Sequence, residues 1–435
     1  MLKRKATKDI KNWLHSKDKK CLIVQGARQT GKTYIIEQFA KENYEEFVEI
    51  NFKQMPSAAD IFSGDLTVDA MVMAMRFRFP EKKIIPGETM IFLDEIQECQ
   101  EALTSLKFWA IDNRFDVIAS GSLLGIDYKR ASSYPVGYVD YLKMYGLDFE
   151  EFLWGMGISE DMTENFCNYL HAETVIPEAV HLQMMNYYRQ YIATGGMPEA
   201  VQKYVNTKDF RDVDRIQRSL LQGYQYDIAH YATAEEKVKA EKCYLSLAKQ
   251  LLDKENHKFQ YKEVEHGGRA QKYYSSVEWL LRADMVHLCK LVTDVRFDLD
   301  DYARDDFFRA YTTDLSLLMA MKDFSLKQHI VENTLAGNSK GGIYECAIAD
   351  ALYKKGYPLY FYKNETLKKE IDVIIQKDGK VLPIEVKSGN TRAGSLKSLM
   401  KNHKDICFGY KFVDGNTGVS EDGIITLPLY MIAFI

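Results

Sequence analysis

The sequence predicts a mainly parallel α/β sheet built around a phosphate-binding loop, followed by helices and then by a second, smaller α/β domain. Three observations carry this. Five short apolar runs in residues 21–155 are each separated by a segment long enough for a crossover. A glycine-rich stretch, GARQTGKT, directly follows the first of them. After residue 340 the pattern becomes helix, three strands, helix, two strands. At 435 residues the chain is too long for one hydrophobic core and divides into two to four domains.

Near the start, Ile10, Trp13 and Leu14 fall at helical spacing, which reads as a short amphipathic helix packed on the first domain. The strands are CLIVQ (21–25), FVEINF (47–52), TMIFLDE (89–95), VIASGS (117–122) and YVDYLKM (138–144). Gly26, Ala27, Arg28, Gln29, Thr30, Gly31, Lys32 and Thr33 match the Walker A pattern GxxxxGK[ST], with a strand before and the helical YIIEQFAKE after. Gly26 and Gly31 permit the backbone angles that turn successive N–H groups toward phosphate oxygens. Lys32 is expected on the β- and γ-phosphates of ATP, Thr33 on Mg²⁺, and the helix start presents its positive dipole end to the anion. TMIFLDE ends in two carboxylates at the edge where open parallel sheets bind ligands. Asp94 is expected to hold the Mg²⁺ shell, and Glu95 to polarise the attacking water as catalytic base. Ser120, with Ser122 beside it, closes the next strand, where a hydroxyl can sense the γ-phosphate.

Residues 160–235 read as helical, broken by GGMP at 195–198. In 238–300, three amphipathic helical patterns precede the alternating VHLCKLVTDVRFDL, which together resemble a winged-helix unit. Arg269, Lys272, Tyr273, Tyr274, Ser275 and Ser276 gather at the start of the third helix, where a recognition helix meets DNA. Only two of these are cations, flanked by Glu265 and Glu278, so DNA contact and protein docking both remain open.

The C-terminal pattern places Glu345 on a helix, Asp372 in EIDVIIQ and Glu385 with Lys387 in VLPIEVKS, with a hairpin turn at Lys377–Lys380. This is the order of the PD-(D/E)XK nuclease constellation. Glu385 and Lys387 lie two apart and share a strand face, while Asp372 lies on the adjacent strand. Converging carboxylates from Glu345, Asp372 and Glu385 would bind Mg²⁺, which activates a water, and Lys387 would position that water or neutralise charge. Pro383 lacks a ladder donor and is expected at a strand start or bulge.

Taken in order, GARQTGKT, FLDEIQ, SGSLLG, LDFEEFL (147–153), GGMPEAV (195–201), EIDVII and PIEVKSG resemble a family of prokaryotic AAA-type ATPases with a C-terminal domain of unknown function. The likeness covers essentially the whole chain. It implies an ATP site at Gly26, Gly31, Lys32, Thr33, Asp94, Glu95 and Ser120. One departure stands out: the family has Gly-Arg where this chain reads Gly137–Tyr138. If that arginine completes the site of a neighbouring subunit in a homo-oligomer, its role here is open: Arg130, before the fifth strand, reads either as a weak substitute or as a solvated loop charge.

Four segments follow: an AAA-type core over 1–158, a helical extension over 159–236, a winged-helix-like module over 237–305 and a nuclease-like domain over 306–435. The expected function is ATP hydrolysis coupled to nucleic-acid engagement, with Mg²⁺-dependent DNA cleavage as its furthest extension. The alternative is an ATP-switched DNA- or protein-binding scaffold whose nuclease-like domain is inert. A net charge of −5 gives no overall basic field, so any DNA contact must be a local patch. Seven cysteines are scattered singly with no CxxC pair, which fits reduced thiols rather than a zinc site or disulfide framework. No stretch approaches eighteen consecutive apolar residues and no signal-peptide core is present, so a cytoplasmic protein is expected.

Overall fold

The computed structural model describes residues 2–121, 135–252, 258–364, 369–387, 389, 393–418 and 422–435. Two compact units emerge, an N-terminal one of Arg4–Tyr145 with Arg282–Asp284, and a C-terminal one of Met1–Lys3, Gly146–Leu281 and Met285–Ile435.

The N-terminal unit runs α1 (Lys5–Leu14), β1 (Cys21–Gln25), α2 (Lys32–Asn43), β2 (Glu46–Asn51), α3 (Val68–Arg78), β3 (Thr89–Asp94), α4 (Gln100–Asp112), β4 (Asp116–Gly121) and β5 (Val139–Lys143). Its sheet has the order β2-β3-β4-β1-β5, and every pair in it is parallel. The apolar runs are continuous because both faces are covered. Cys21, Ile23, Ile91, Leu93, Val117 and Ala119 join a core on one side. Their alternates Leu22, Val24, Met90, Phe92 and Ile118 join another, where Ala6, Ile10 and Trp13 of α1 also pack. The strand order reverses around β1, which leaves a crevice at the carboxyl ends of β1, β3 and β4.

The C-terminal unit begins with α5 (Phe149–Gly155), α6 (Glu160–Ala172), α7 (Glu178–Thr194), α8 (Pro198–Thr207) and α9 (Phe210–Tyr231). A capping box starts α5: Asp148 accepts from the Glu151 amide at 2.8 Å, and Glu151 accepts from the Asp148 amide at 3.1 Å. The turn between α7 and α8 needs both its glycines. A Cβ at Gly195 would lie 2.1 Å from the Ser316 amide, and one at Gly196 the same distance from the Leu147 carbonyl. The LDFEEFL and GGMPEAV stretches therefore meet, with the Leu147 amide donating to the Gly196 carbonyl at 2.6 Å. Beside them Lys354 is buried, its Nζ 2.7 Å from Asp314 and 2.8 Å from Asp350.

Next come α10 (Lys237–Leu251), α11 (Tyr261–Val264), α12 (Ala270–Arg282), β6 (Val286–Val292), β7 (Ala303–Thr312), α13 (Leu315–Ala320), α14 (Phe324–Val331), α15 (Gly337–Lys354), β8 (Leu359–Asn364), β9 (Lys369–Lys377), β10 (Lys380–Lys387), α16 (Gly394–Asn402), β11 (Gly409–Val413) and β12 (Ile424–Pro428). The strands form one mixed sheet in the order β12-β11-β10-β9-β8-β6-β7. The hairpin of β6 and β7 after α12 is thus no free-standing wing, because β6 also pairs in parallel with β8. The segment boundary expected at 305/306 falls within β7.

The expected hairpin turn is present, with Asp378 and Gly379 at φ 48° and 73°. Pro383 corrects its expectation: it sits inside β10, in register with Ile374 and with no register shift in that ladder. The alternation set by the turn directs its missing N–H away from β9, and the ladder with β11 begins only at Ile384. The final strand is shorter than its apolar run, stopping at Pro428 before a buried 3-10 turn, Leu429–Phe434.

Candidate functional site

The strand, loop and helix of the Walker A stretch are in place, and positive φ angles at Gly26 (154°), Gln29 (64°) and Gly31 (91°) curl the loop between them. Gly26 is irreplaceable on steric grounds, since a Cβ there would lie 2.0 Å from the Met144 carbonyl oxygen. The Met144 amide donates to the Gln25 carbonyl at 2.7 Å, so β5 fixes the entry to the loop. Thr30 is buried, and its hydroxyl donates to the Ala27 carbonyl at 2.9 Å. Arg28 is half-buried and Gln29 exposed on the loop.

Arg4, which sequence reasoning missed, braces the loop from outside. Its guanidinium donates to the Thr30 carbonyl at 3.0 Å and the Tyr145 carbonyl at 2.6 Å. It lies within a basic N-terminus whose other cations gave no signal to single it out.

Lys32 Nζ donates to the Gly26 and Ala27 carbonyls, both at 2.9 Å. Burial holds its pKa below the usual lysine range, against the opposing charges of Glu95 and Asp94. Thr33 and Asp94 come together as expected, with the Thr33 hydroxyl donating to Asp94 Oδ2 at 3.2 Å. Asn51, at the end of β2, donates to the same oxygen at 2.8 Å, and Ser120 donates to Oδ1. Asp94 is buried, which raises its pKa, while the Ser120 hydrogen bond works the other way.

Glu95 follows β3 in the left-handed region, at φ 53°. Gln97 Nε2 donates to Glu95 Oε2 at 2.5 Å and fixes the direction of that carboxylate. Gly121 makes room for Gln97, because a Cβ there would stand 2.5 Å from Gln97 Oε1. Sequence reasoning missed Asn51 and Gln97; for Gln97 the available signal was its place two residues after Glu95 in FLDEIQ. Ser122 and Arg130 lie outside the described residues. Where the resembling family has arginine, the Tyr138 ring carries the Lys107 ammonium 5.3 Å from its centroid.

A curled loop of amides at a helix start, one lysine, and a hydroxyl beside a carboxylate fit a Mg²⁺–nucleotide. With such a ligand the amides and Lys32 would face phosphate oxygens, and Thr33 with Asp94 would offer hard oxygen donors to the cation.

The second expected site is arranged differently. Among the described residues, no three His, Cys, Asp or Glu side chains converge to hold a metal ion. The three carboxylates expected to form a metal cage are engaged in bonds within the chain. Asp372 Oδ2 accepts from the Val386 amide at 2.7 Å. Glu385 accepts from the Leu396 amide at 3.2 Å, and Lys387 Nζ lies 2.7 Å from its other oxygen. Glu345 is bonded by Arg309 and, at 3.0 Å, by the Tyr311 hydroxyl. Burial and the neighbouring Asp372 raise the Glu345 pKa, with Arg309 opposing them. The expected Glu345, Asp372 and Glu385 thus lie in an ion-paired cluster with Arg309 and Lys387.

At the start of α12, the side chains read as open to either DNA or a protein partner are largely bonded within the chain. Lys272 Nζ lies 2.6 Å from Glu265, and the Tyr273 hydroxyl bonds the same carboxylate. Ser275 and Ser276 donate to Glu236 at 2.8 and 2.7 Å. Arg269 is exposed and Tyr274 half-buried.

Comparison with known families matches residues 18–153 to an AAA domain. Residues 185–328 and 340–432 match two domains of unknown function, DUF8612 and DUF4143. No curated protein matches the chain. Solved structures similar to it include the Orc1 protein of Aeropyrum pernix in complex with DNA, at 13% identity and TM-score 0.27, covering 76% of this chain and 91% of that one. Drosophila ORC bound to DNA gives 13% identity and TM-score 0.25, covering 76% and 94%. A signal-transduction ATPase with numerous domains and a tetratricopeptide repeat sensor, from Pyrococcus horikoshii, gives 13% and 0.26, covering 82% of this chain and 46% of that one. Superpositions this loose assign no role. The N-terminal unit is a parallel-sheet, AAA-type P-loop domain, and among the described residues no helix is long and apolar enough to cross a membrane.

Proposed function

We propose that the chain, whose residues 18–153 match an AAA domain, hydrolyses Mg²⁺–ATP and uses the cycle to switch a binding activity of its C-terminal unit. The observation that carries this is the meeting of Thr33, Asp94 and Ser120 beside the Lys32 loop. Bound Mg²⁺ would neutralise charge on the β- and γ-phosphates. Lys32 would exchange its two carbonyl acceptors for phosphate oxygens. Gly26–Gly31 would present amides, Thr33 and Asp94 would hold the cation, and Glu95, aimed by Gln97, would take a proton from the attacking water. The test is phosphate release by the purified chain with Mg²⁺–ATP, together with Lys32→Ala. Turnover that survives Lys32→Ala refutes the assignment.

The C-terminal cluster favours the scaffold form of this function over a cleaving one, because Glu345, Asp372 and Glu385 are already engaged by protein donors. A second reading, DNA as the bound partner, is supported by the succession α10, α11, α12 and the β6–β7 hairpin, the order of a winged-helix unit. We place the working segments at 1–158, 159–236 and 237–435, since a boundary at 305/306 would divide β7. A homo-oligomer is the form in which an arginine from a neighbouring subunit would complete the ATP site. Plasmid and single-stranded DNA incubated with the protein, Mg²⁺ and ATP separate these outcomes: binding without cleavage is expected, and cleavage lost in Asp372→Ala would restore the nuclease reading.

A further inference from the structure

We infer that the Arg309 guanidinium occupies the cation position of the C-terminal carboxylate cluster, so that this cluster holds no divalent metal until Arg309 is removed. The inference is independent of the ATPase assignment, which concerns the other unit.

Four carboxylates, Glu345, Glu370, Asp372 and Glu385, face two cations, Arg309 and Lys387. Arg309 leaves β7 and is buried, with 6% of its surface exposed. Nη1 bonds the Glu345 carboxylate of α15 and, at 3.2 Å, the main-chain carbonyl of Asp372 in β9. Nη2 bonds Glu370, also in β9. The Phe361 ring lies under the group, its centroid 4.5 Å from the guanidinium carbon. Two carboxylates and a carbonyl are the donor set that a hard divalent cation takes. Here a guanidinium takes it, with a charge that no accessible pH removes.

Asp372 and Glu385 have protein partners as well. Asp372 Oδ2 takes the Val386 amide, and Glu385 takes the Leu396 amide and Lys387. An arriving Mg²⁺ would meet two fixed positive charges in a poorly screened site. It would also strand a buried guanidinium without partners, which no solvation compensates. The arrangement instead makes structure: Arg309 ties the edge strand β7 to α15 and β9, and Lys387 closes the β10 side.

The logic reverses when Arg309 is replaced by a neutral side chain of similar length. Glu345 and Glu370 then lose their counter-ion and, with Asp372, become a site that needs a cation. Mn²⁺ alone is the probe, followed by its electron paramagnetic resonance signal on the full chain without nucleotide, in an Asp94→Ala background that removes the carboxylate assigned to the cation in the other unit. With Arg309 present, the chain should leave the free Mn²⁺ signal unchanged. Arg309→Met should remove a stoichiometric share of that signal, gain thermal stability from Mn²⁺, and lose both effects when Glu345→Gln is added. Bound Mn²⁺ in the Arg309 chain that disappears with Asp372→Asn overturns the inference, as does a folded Arg309→Met chain that binds none. Should Arg309→Met fail to fold, the Arg309 chain decides alone, since Asp372-dependent Mn²⁺ binding refutes the inference and its absence upholds it.

Discussion

Replacing Glu95 by Gln isolates the chemical step at the nucleotide site. Glu95 is displayed by a left-handed backbone at the end of β3, and its Oε2 accepts from Gln97 at 2.5 Å. A glutamine at position 95 can offer its amide oxygen to Gln97 in the same geometry, so the local structure should survive. Asp94, Thr33 and Ser120 keep their mutual bonds, because none of them runs through the Glu95 side chain. What is lost is a base for the attacking water, an effect of about 10²–10⁴-fold in rate. By transition-state arithmetic that is about 3–5 kcal/mol on the barrier. The assay is phosphate release at saturating Mg²⁺–ATP, paired with equilibrium binding of a labelled nucleotide. Glu95→Gln should bind as the wild type does and turn over at least ~100-fold more slowly. Wild-type turnover would place the base elsewhere, and lost binding would mean that Glu95 holds the cation rather than the water. Gln97→Leu provides an internal check: it should slow turnover while leaving nucleotide affinity intact, since Gln97 acts only through the direction of Glu95.

Gly26→Ala should abolish nucleotide binding and lower the melting temperature, because its Cβ would overlap the Met144 carbonyl at 2.0 Å; normal binding would refute the close approach. Lys354→Met should destabilise the chain by about 3–5 kcal/mol in urea unfolding, because it leaves Asp314 and Asp350 buried without their cation. Burial pushes the Asp350 carboxyl up to about 7 from its ordinary value near 3.8, so the folded chain binds its proton more tightly than the unfolded one. Stability should therefore fall as pH rises from about 4 to 7, and Asp350→Asn should flatten that slope in melting curves taken across the range. If α12 meets DNA, Arg269→Ala with Lys272→Ala should weaken binding and reduce its salt dependence, and an unchanged salt slope returns the helix to protein docking.

What was legible in the sequence rested on spacing within one element or on a motif whose two halves a parallel sheet brings to one edge. The inner strands β1, β3 and β4 announced themselves because both their faces are buried, and Thr33 and Asp94 were predictable partners because loop and strand edge converge in every sheet of this order. The residues that escaped notice act across elements. Arg4 reaches Thr30 and Tyr145, Asn51 reaches Asp94, and Lys354 reaches Asp314, through contacts that no local periodicity encodes. The C-terminal cluster makes the physical point most clearly. Glu345, Asp372, Glu385 and Lys387 occur in the order a metal-dependent nuclease needs, and the fold does bring their elements together. The order of acidic residues cannot say which cation balances them, however, because a carboxylate accepts a metal and a guanidinium equally well. That choice is made by Arg309, 36 residues before Glu345 and on the edge strand β7, a cation that belongs to no part of the motif. A constellation of carboxylates is therefore half of a chemical statement. The other half is the nearest buried cation, which only the assembled sheet supplies.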